Sequence, residues 1–163
     1  MSSSDPPPMD ESEAIEALRA DSARAAAAAE LLWAMWHRSG KPEVDDLMRH
    51  GIIAMQRQEY AAAERTFSHI IEALPEFAEG WNKRATVRYM MRNYPGAIAD
   101  CEETLKRNPN HFGALSGQGL CHMALGQFRE AAALFRRTLD VHPHLDSARQ
   151  NLRAALTEVV KWN

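Results

Sequence analysis

An all-α chain of stacked antiparallel helix hairpins, an α-solenoid, is the fold this sequence predicts. Three observations predict it. Pro75, Pro109 and Pro143 stand 34 residues apart. The same residue types recur at fixed offsets before each proline: Tyr60, Tyr94 and Phe128, then Ala63, Ala97 and Ala131, then Phe67, Cys101 and Phe135, then Ile71, Leu105 and Leu139. Alanine is abundant while Val, Ile and Thr are sparse, which favours helix over strand. Self-similarity at a fixed period of this length marks supersecondary units that stack on their neighbours, and such arrays more often bind than catalyse.

The elements follow in order. Residues 1–9, MSSSDPPPM, carry serines and prolines with little to bury, so a disordered tail is expected. Residues 10–43 read as a helical region, a degenerate leading half-repeat. Asp21 or Ser22 caps its main helix, which runs to about Arg38 and stops at Gly40 and Pro42. Stepping back 34 residues from Ala63 and Phe67 lands on Ala29 and Trp33, with residues 10–20 a poor first helix. This register packs Trp33 and Trp36 on the next unit, around Leu47 and Gly51.

Three full units follow, at 44–77, 78–111 and 112–145. Their helices are expected at about 43–57, 60–73, 77–91, 94–107, 111–124 and 127–140, with short turns that make neighbours antiparallel. Gly51, Ala85 and Gly119 are expected to face Ala63, Ala97 and Ala131, letting the paired helices approach closely. Residues 146–163 form a last helix without a partner, expected to cap the apolar end of the stack.

Composition excludes several functions. A net charge of −3 with both signs interspersed argues against a nucleic-acid phosphate partner. The stretch Ala25–Trp36 is too short and too polar to span a bilayer. A cytoplasmic or organellar-lumen location is expected, with a removed targeting segment left open. Cys101 and Cys121 make neither a disulfide framework nor a zinc spacing, so buried, reduced thiols are expected. Seven histidines include no His-x-x-x-His pair, and His142-Pro143-His144 is at most an adventitious chelate. No phosphate loop and no nucleophile motif is present. Asp100, Glu102 and Glu103 read as a solvated charge run beside Lys106 and Arg107. No enzyme activity, cofactor or metal is expected.

The repeat resembles the tetratricopeptide repeat family. AEGWNKRATVRYMMRNYPGAIADCEETLKRNPN and ALSGQGLCHMALGQFREAAALFRRTLDVHP carry its helix–turn–helix pattern, and LMRHGIIAMQRQEYAAAERTFSHIIEALP is a third copy. The resemblance implies a right-handed superhelix whose first helices line a concave groove that takes an extended peptide or a partner helix. Carried over position by position, the groove would hold Asp45, Met48, Ile52, Met55 and Gln56. Glu79, Asn82, Thr86, Tyr89 and Met90 follow, then Gly113, Ser116, Leu120 and Met123, with His111 and His144 at its edge.

Chaperone-binding members of the family grip a terminal carboxylate with cations and amides. The corresponding positions here are Met48, Ile52, Lys83, Gly113 and Gly117, which argues against the C-terminal carboxylates of Hsp70 and Hsp90. A protein or peptide client in an uncharged, Met-rich groove is expected, with Asn82 and Tyr89 as polar-tipped anchors. The alternative for Met35, Met55, Met90 and Met123 is packing between repeats.

Where the family places leucine, this chain has His50, Arg84 and Gln118, a polar column. Each member either is partly buried and bonds a neighbouring turn or an acid such as Asp100, or contributes to a ligand seam. Arg84, Arg88 and Arg92 would also share one helix ridge. Two other functional classes stay open: a homo-oligomeric assembly subunit using its convex face and apolar ends, and a small-molecule or metal binder built on the polar column.

Overall fold

The computed structural model describes residues 8–20 and 22–163. Among them are nine α-helices and no strand. They are α1 (Glu11–Arg19), α2 (Ser22–Trp36), α3 (Pro42–Gln56), α4 (Tyr60–Ala73), α5 (Ala78–Met90), α6 (Tyr94–Arg107), α7 (Phe112–Ala124), α8 (Phe128–Val141) and α9 (Asp146–Lys161). The six repeat helices fall within one residue of the expected bounds. Short turns pair α3 with α4, α5 with α6 and α7 with α8, and each helix from α3 to α9 packs on the next. The chain is therefore the α-solenoid that the 34-residue period predicts.

Turn chemistry sets the hairpins. Gln58, Arg92 and Gly126 occupy the same point of successive units, and all three have positive φ, at 62°, 60° and 72°. Glycine adopts this conformation without cost, whereas the Cβ of Gln58 and Arg92 opposes it. Arg92 thus lies in the turn, beyond the end of α5, and does not continue a ridge with Arg84 and Arg88.

The close approach within each unit is aromatic on glycine. A Cβ at Gly51 would stand 2.4 Å from Phe67 Cε1, and one at Gly119 would stand 2.6 Å from Phe135 Cε1. The tight partner is this phenyl ring rather than Ala63 or Ala131, although both alanines are buried. The middle unit makes a matched exchange, with Ala85 in place of glycine and Cys101 in place of phenylalanine. At the far end, Ala155 and Leu152 of α9 pack on Ala131, Ala132 and Phe135.

The N-terminal hairpin departs from the expected register. α1 is well specified: Asp10 accepts the Glu13 N–H and Glu13 accepts the Asp10 N–H, a reciprocal capping box. α2 does not run along α3. The hairpin instead folds back over the third unit, where Ala14, Ile15, Leu18, Ala28 and Leu32 share a core with Phe112, Leu115, Leu134 and Val141. Met9 joins this core, so the expected disordered tail fails at its last residue, and residues 1–7 lie outside those described, as does Asp21. Trp33 and Trp36 consequently sit on His111 and Phe112, not on Leu47 and Gly51. Periodicity finds the helix, but only the distant apolar patch left open by Phe112 and Val141 determines where it docks.

Candidate functional site: the inner face of the solenoid

The residues expected to line the groove, on α3, α5 and α7, lie at differing depths. Met48 is buried in the core between α3 and α4, and Ile52 and Met55 pack half-buried against the same cluster. Thr86 is half-buried, and its hydroxyl donates to the Asn82 carbonyl. Tyr89 meets Tyr94 edge-on, with ring centroids 5.6 Å apart. Met90 is half exposed, and Ser116 is half-buried. Leu120 and Met123 pack partly against the α8–α9 core.

One edge of this face is occupied from within. Glu79 is fully buried, yet its carboxylate is fully engaged. Asn82 donates to Oε1 at 3.0 Å, and Lys83 Nζ and His37 Nε2 each lie 3.5 Å from that oxygen. His111, also fully buried, lies 2.8 Å from Oε2 through Nε2. Its Nδ1 accepts the Ala114 N–H at the start of α7, so Nε2 carries the proton and donates to Glu79. Burial pushes the Glu79 carboxyl up, but the His111 hydrogen bond and the positive Lys83 outweigh it and hold the group below its ordinary 4.5. Trp36 stacks on the His111 ring at 4.6 Å, and the Trp33 ring fills the space above Gly113, where a Cβ would meet Cη2 at 2.6 Å. Sequence reasoning placed Glu79, His111 and Gly113 at the groove but did not join them to α2. Asp45 is likewise engaged by Ser39, which donates through N–H and Oγ and lowers its carboxyl pKa.

The polar column does not act as one group. His50 is exposed and Gln118 is buried. Arg84 donates to both Asp100 oxygens, at 2.9 and 2.8 Å, and to Ser68. Arg88 bridges Asp100 and Glu64. Asp100 is therefore a buried counter-ion, not part of a solvated run, and Arg84 and Arg88 offer no free basic ridge. Glu102 is exposed, and Glu103 pairs with Lys106 and Arg107.

Both thiols are buried and reduced. Burial pushes Cys121 up to about 11 and Cys101 higher still. His142 Nδ1 and His144 Nε2 are buried without hydrogen-bond partners. Among the described residues no three His, Cys, Asp or Glu side chains gather as a metal site, and no helix is long and apolar enough to cross a membrane.

Helical hairpins stacked in register define an α-solenoid of the repeat class. The tetratricopeptide repeat model matches residues 48–111 and 82–158, and the chain belongs to that family. A TPR repeat-containing protein of Rhizobium etli is 33% identical over 66% of this chain and 53% of its own. The small glutamine-rich tetratricopeptide repeat-containing protein 2 of Saccharomyces cerevisiae is 28% identical over 62% of this chain and 29% of its own. The chain thus spans about half, or less, of the length of these curated relatives. Among solved structures, the Sgt2 TPR domain from Aspergillus fumigatus superposes with a TM-score of 0.72 at 21% identity, covering 76% of this chain and 83% of that one. The first TPR domain of Spaghetti, bound to an HSP90 peptide, gives 0.70 at 21% identity, covering 72% and 93%. At these identities the structural likeness speaks for the fold.

Proposed function

We propose that this chain is a non-catalytic protein-interaction module that receives a peptide or helix of a client along the inner face of α3, α5 and α7. The observation that carries the reading is the face itself: Ile52, Met55, Thr86, Tyr89, Met90, Ser116, Leu120 and Met123 leave an uncharged strip beside a rim whose charges are already paired. The repeat units at 44–77, 78–111 and 112–145 supply one first helix each. The same pairing argues against a terminal carboxylate of the chaperone type. Asn82 and Lys83 already hold a carboxylate, that of Glu79, and Trp33 occupies the space at Gly113. The domain of Spaghetti is solved with an HSP90 peptide, whereas here Lys83 carries the one side-chain donor among the clamp positions Met48, Ile52, Lys83, Gly113 and Gly117, and it already faces Glu79.

The test begins with affinity purification and identification of the bound peptide, followed by calorimetry. Asn82 is buried against Glu79 and is a poor probe. Ser116→Glu instead puts a charge on the strip at a half-exposed position, and it should weaken the client at least ten-fold, roughly 1.4 kcal/mol, with an unchanged melting temperature. Arg136→Glu, exposed on α8, should bind like the wild type. Equal affinity for both variants would remove the inner face from consideration.

A second reading, self-association, rests on the end of α9, where Val160 and Trp162 are 76% and 80% exposed. Light scattering at two concentrations separates it: the mass of a single chain at both concentrations rules it out.

A further inference from the structure

Between α5 and α7 the inner face opens into a cavity of about 210 Å³, lined by Tyr89, Met90, Cys101, Gly117, Leu120 and Cys121. The surface it offers is apolar, because the hydroxyl of Thr86, which also lines it, donates to the Asn82 carbonyl. The sequence explains why space remains there. Units one and three fill the equivalent position with Phe67 and Phe135, whose rings press on Gly51 and Gly119. The middle unit has Cys101, a side chain several atoms shorter, and Gly117 adds none from the facing helix. A Cβ built on Gly117 would meet only Cys101 Sγ, at 3.9 Å.

We infer that this cavity is an anchor site for one branched-aliphatic or phenyl side chain of the segment docked on the inner face. The inference rests on the reading of that face as the client surface. Three features point to this occupant. A dry apolar cavity of about 150 Å³ suffices for a benzene ring, so a cavity of this size takes one such group. No polar atom is offered to orient a polar or charged ligand. A large apolar side chain of the wall itself also stays exposed: Met90, at 50%. Met90 thus forms an apolar rim at the end of α5. A free small molecule would fill the hole and leave this rim in water, whereas a docked segment covers both.

The experiment uses the full chain with methyl-labelled methionine, titrated with N-acetyl-leucine amide, N-acetyl-phenylalanine amide, N-acetyl-serine amide and toluene. Saturable shifts at Met90 are expected with the leucine or phenylalanine amide, at least ten-fold tighter than with the serine amide. Gly117→Leu fills the cavity and should abolish them, and Gly117→Ala, which meets only the far end of a thiol, should reduce them without lowering the melting temperature. Toluene binding without the amides would make this a small-molecule site and overturn the anchor. So would saturation unaffected by Gly117→Leu, or no saturation at all. Client binding keeps the two ideas separable. If Ser116→Glu abolishes it and Gly117→Leu does not, the inner-face reading stands and the anchor falls. If neither variant matters, both fall.

Discussion

At the scale of single residues, the middle unit records a compensated exchange. Gly51 and Gly119 let a phenyl ring press on the first helix, and a methyl group there would stand 2.4 to 2.6 Å from that ring. Ala85 has that methyl, and Cys101 is small enough to leave it room. Cys101→Phe alone should therefore overpack the unit and cost about 1–3 kcal/mol. Ala85→Gly alone should cost about 1 kcal/mol, from helix propensity. Together they rebuild the pair found in the flanking units, so the double variant should be more stable than the sum of the single effects by at least ~1 kcal/mol. Urea unfolding of all four proteins gives the coupling, and simple additivity would show that the two positions are independent. The three turns at Gln58, Arg92 and Gly126 show the same economy differently: one backbone conformation is kept while the residue best suited to it appears only once.

At the scale of elements, the N-terminal hairpin separates what the sequence reveals from what it hides. The six repeat helices were legible to within a residue because period, turn residues and prolines all agree there. α2 was legible as a helix, and its apolar C-terminal half as a surface needing cover. Its docking site was not, because Trp33 meets Gly113 and His37 meets Glu79 across long sequence separations that no local pattern encodes. The same holds for the buried carboxylate. Glu79 and His111 each looked like groove residues, and nothing local joins them. Asp100 looked solvated because its burial depends on Arg84 and Arg88 reaching across from the neighbouring helix.

The docking makes a sharp demand on Gly113. Helix propensity alone favours alanine there by up to about 1 kcal/mol. Yet the added methyl would stand 2.6 Å from Trp33 Cη2 and 3.3 Å from His111 Cε1. Gly113→Ala should therefore loosen the hairpin, seen as faster tryptic cleavage at the exposed Arg38 and as red-shifted tryptophan emission. Unchanged cleavage and emission would mean that Trp33 does not hold the hairpin down.

At the scale of the whole molecule, the two buried titrating groups divide the acid limb of stability into separate windows. Burial, and then the neighbouring His144, lower the His142 pKa below its ordinary 6.5, so the fold keeps this imidazole neutral. The unfolded chain takes up a proton below pH 6.5 that the native state refuses. Stability is therefore full above 6.5 and falls as the pH drops from there toward the lowered native value. Glu79 acts lower. Its native pKa is below 4.5, so the charged carboxylate stabilises the fold above 4.5, and that contribution drains as the pH falls through the native value.

Each group gives a slope of at most about 1.4 kcal/mol per pH unit inside its own window. Urea midpoints measured from pH 8 to 3 should fall in two stages. His142→Leu removes a buried nitrogen that has no partner, so at pH 8 it should cost little, and it should flatten the first stage alone. Glu79→Gln should lower the curve at neutral pH, because Lys83 and His111 lose their anion, and should flatten part of the second stage, to which the lowered carboxyls of Asp45, Glu103 and Glu158 also contribute, while leaving the first stage unchanged. A His142→Leu curve parallel to wild type through the first window would show that this imidazole titrates alike in the folded and unfolded chains. The order of the stages also bears on the hairpin. His142 lies 5.1 Å from Phe112, against which Trp36 packs, while Glu79 faces His37. Acid therefore reaches the hairpin's apolar seat first and the carboxylate it faces second, and release of α2 should begin in the upper window.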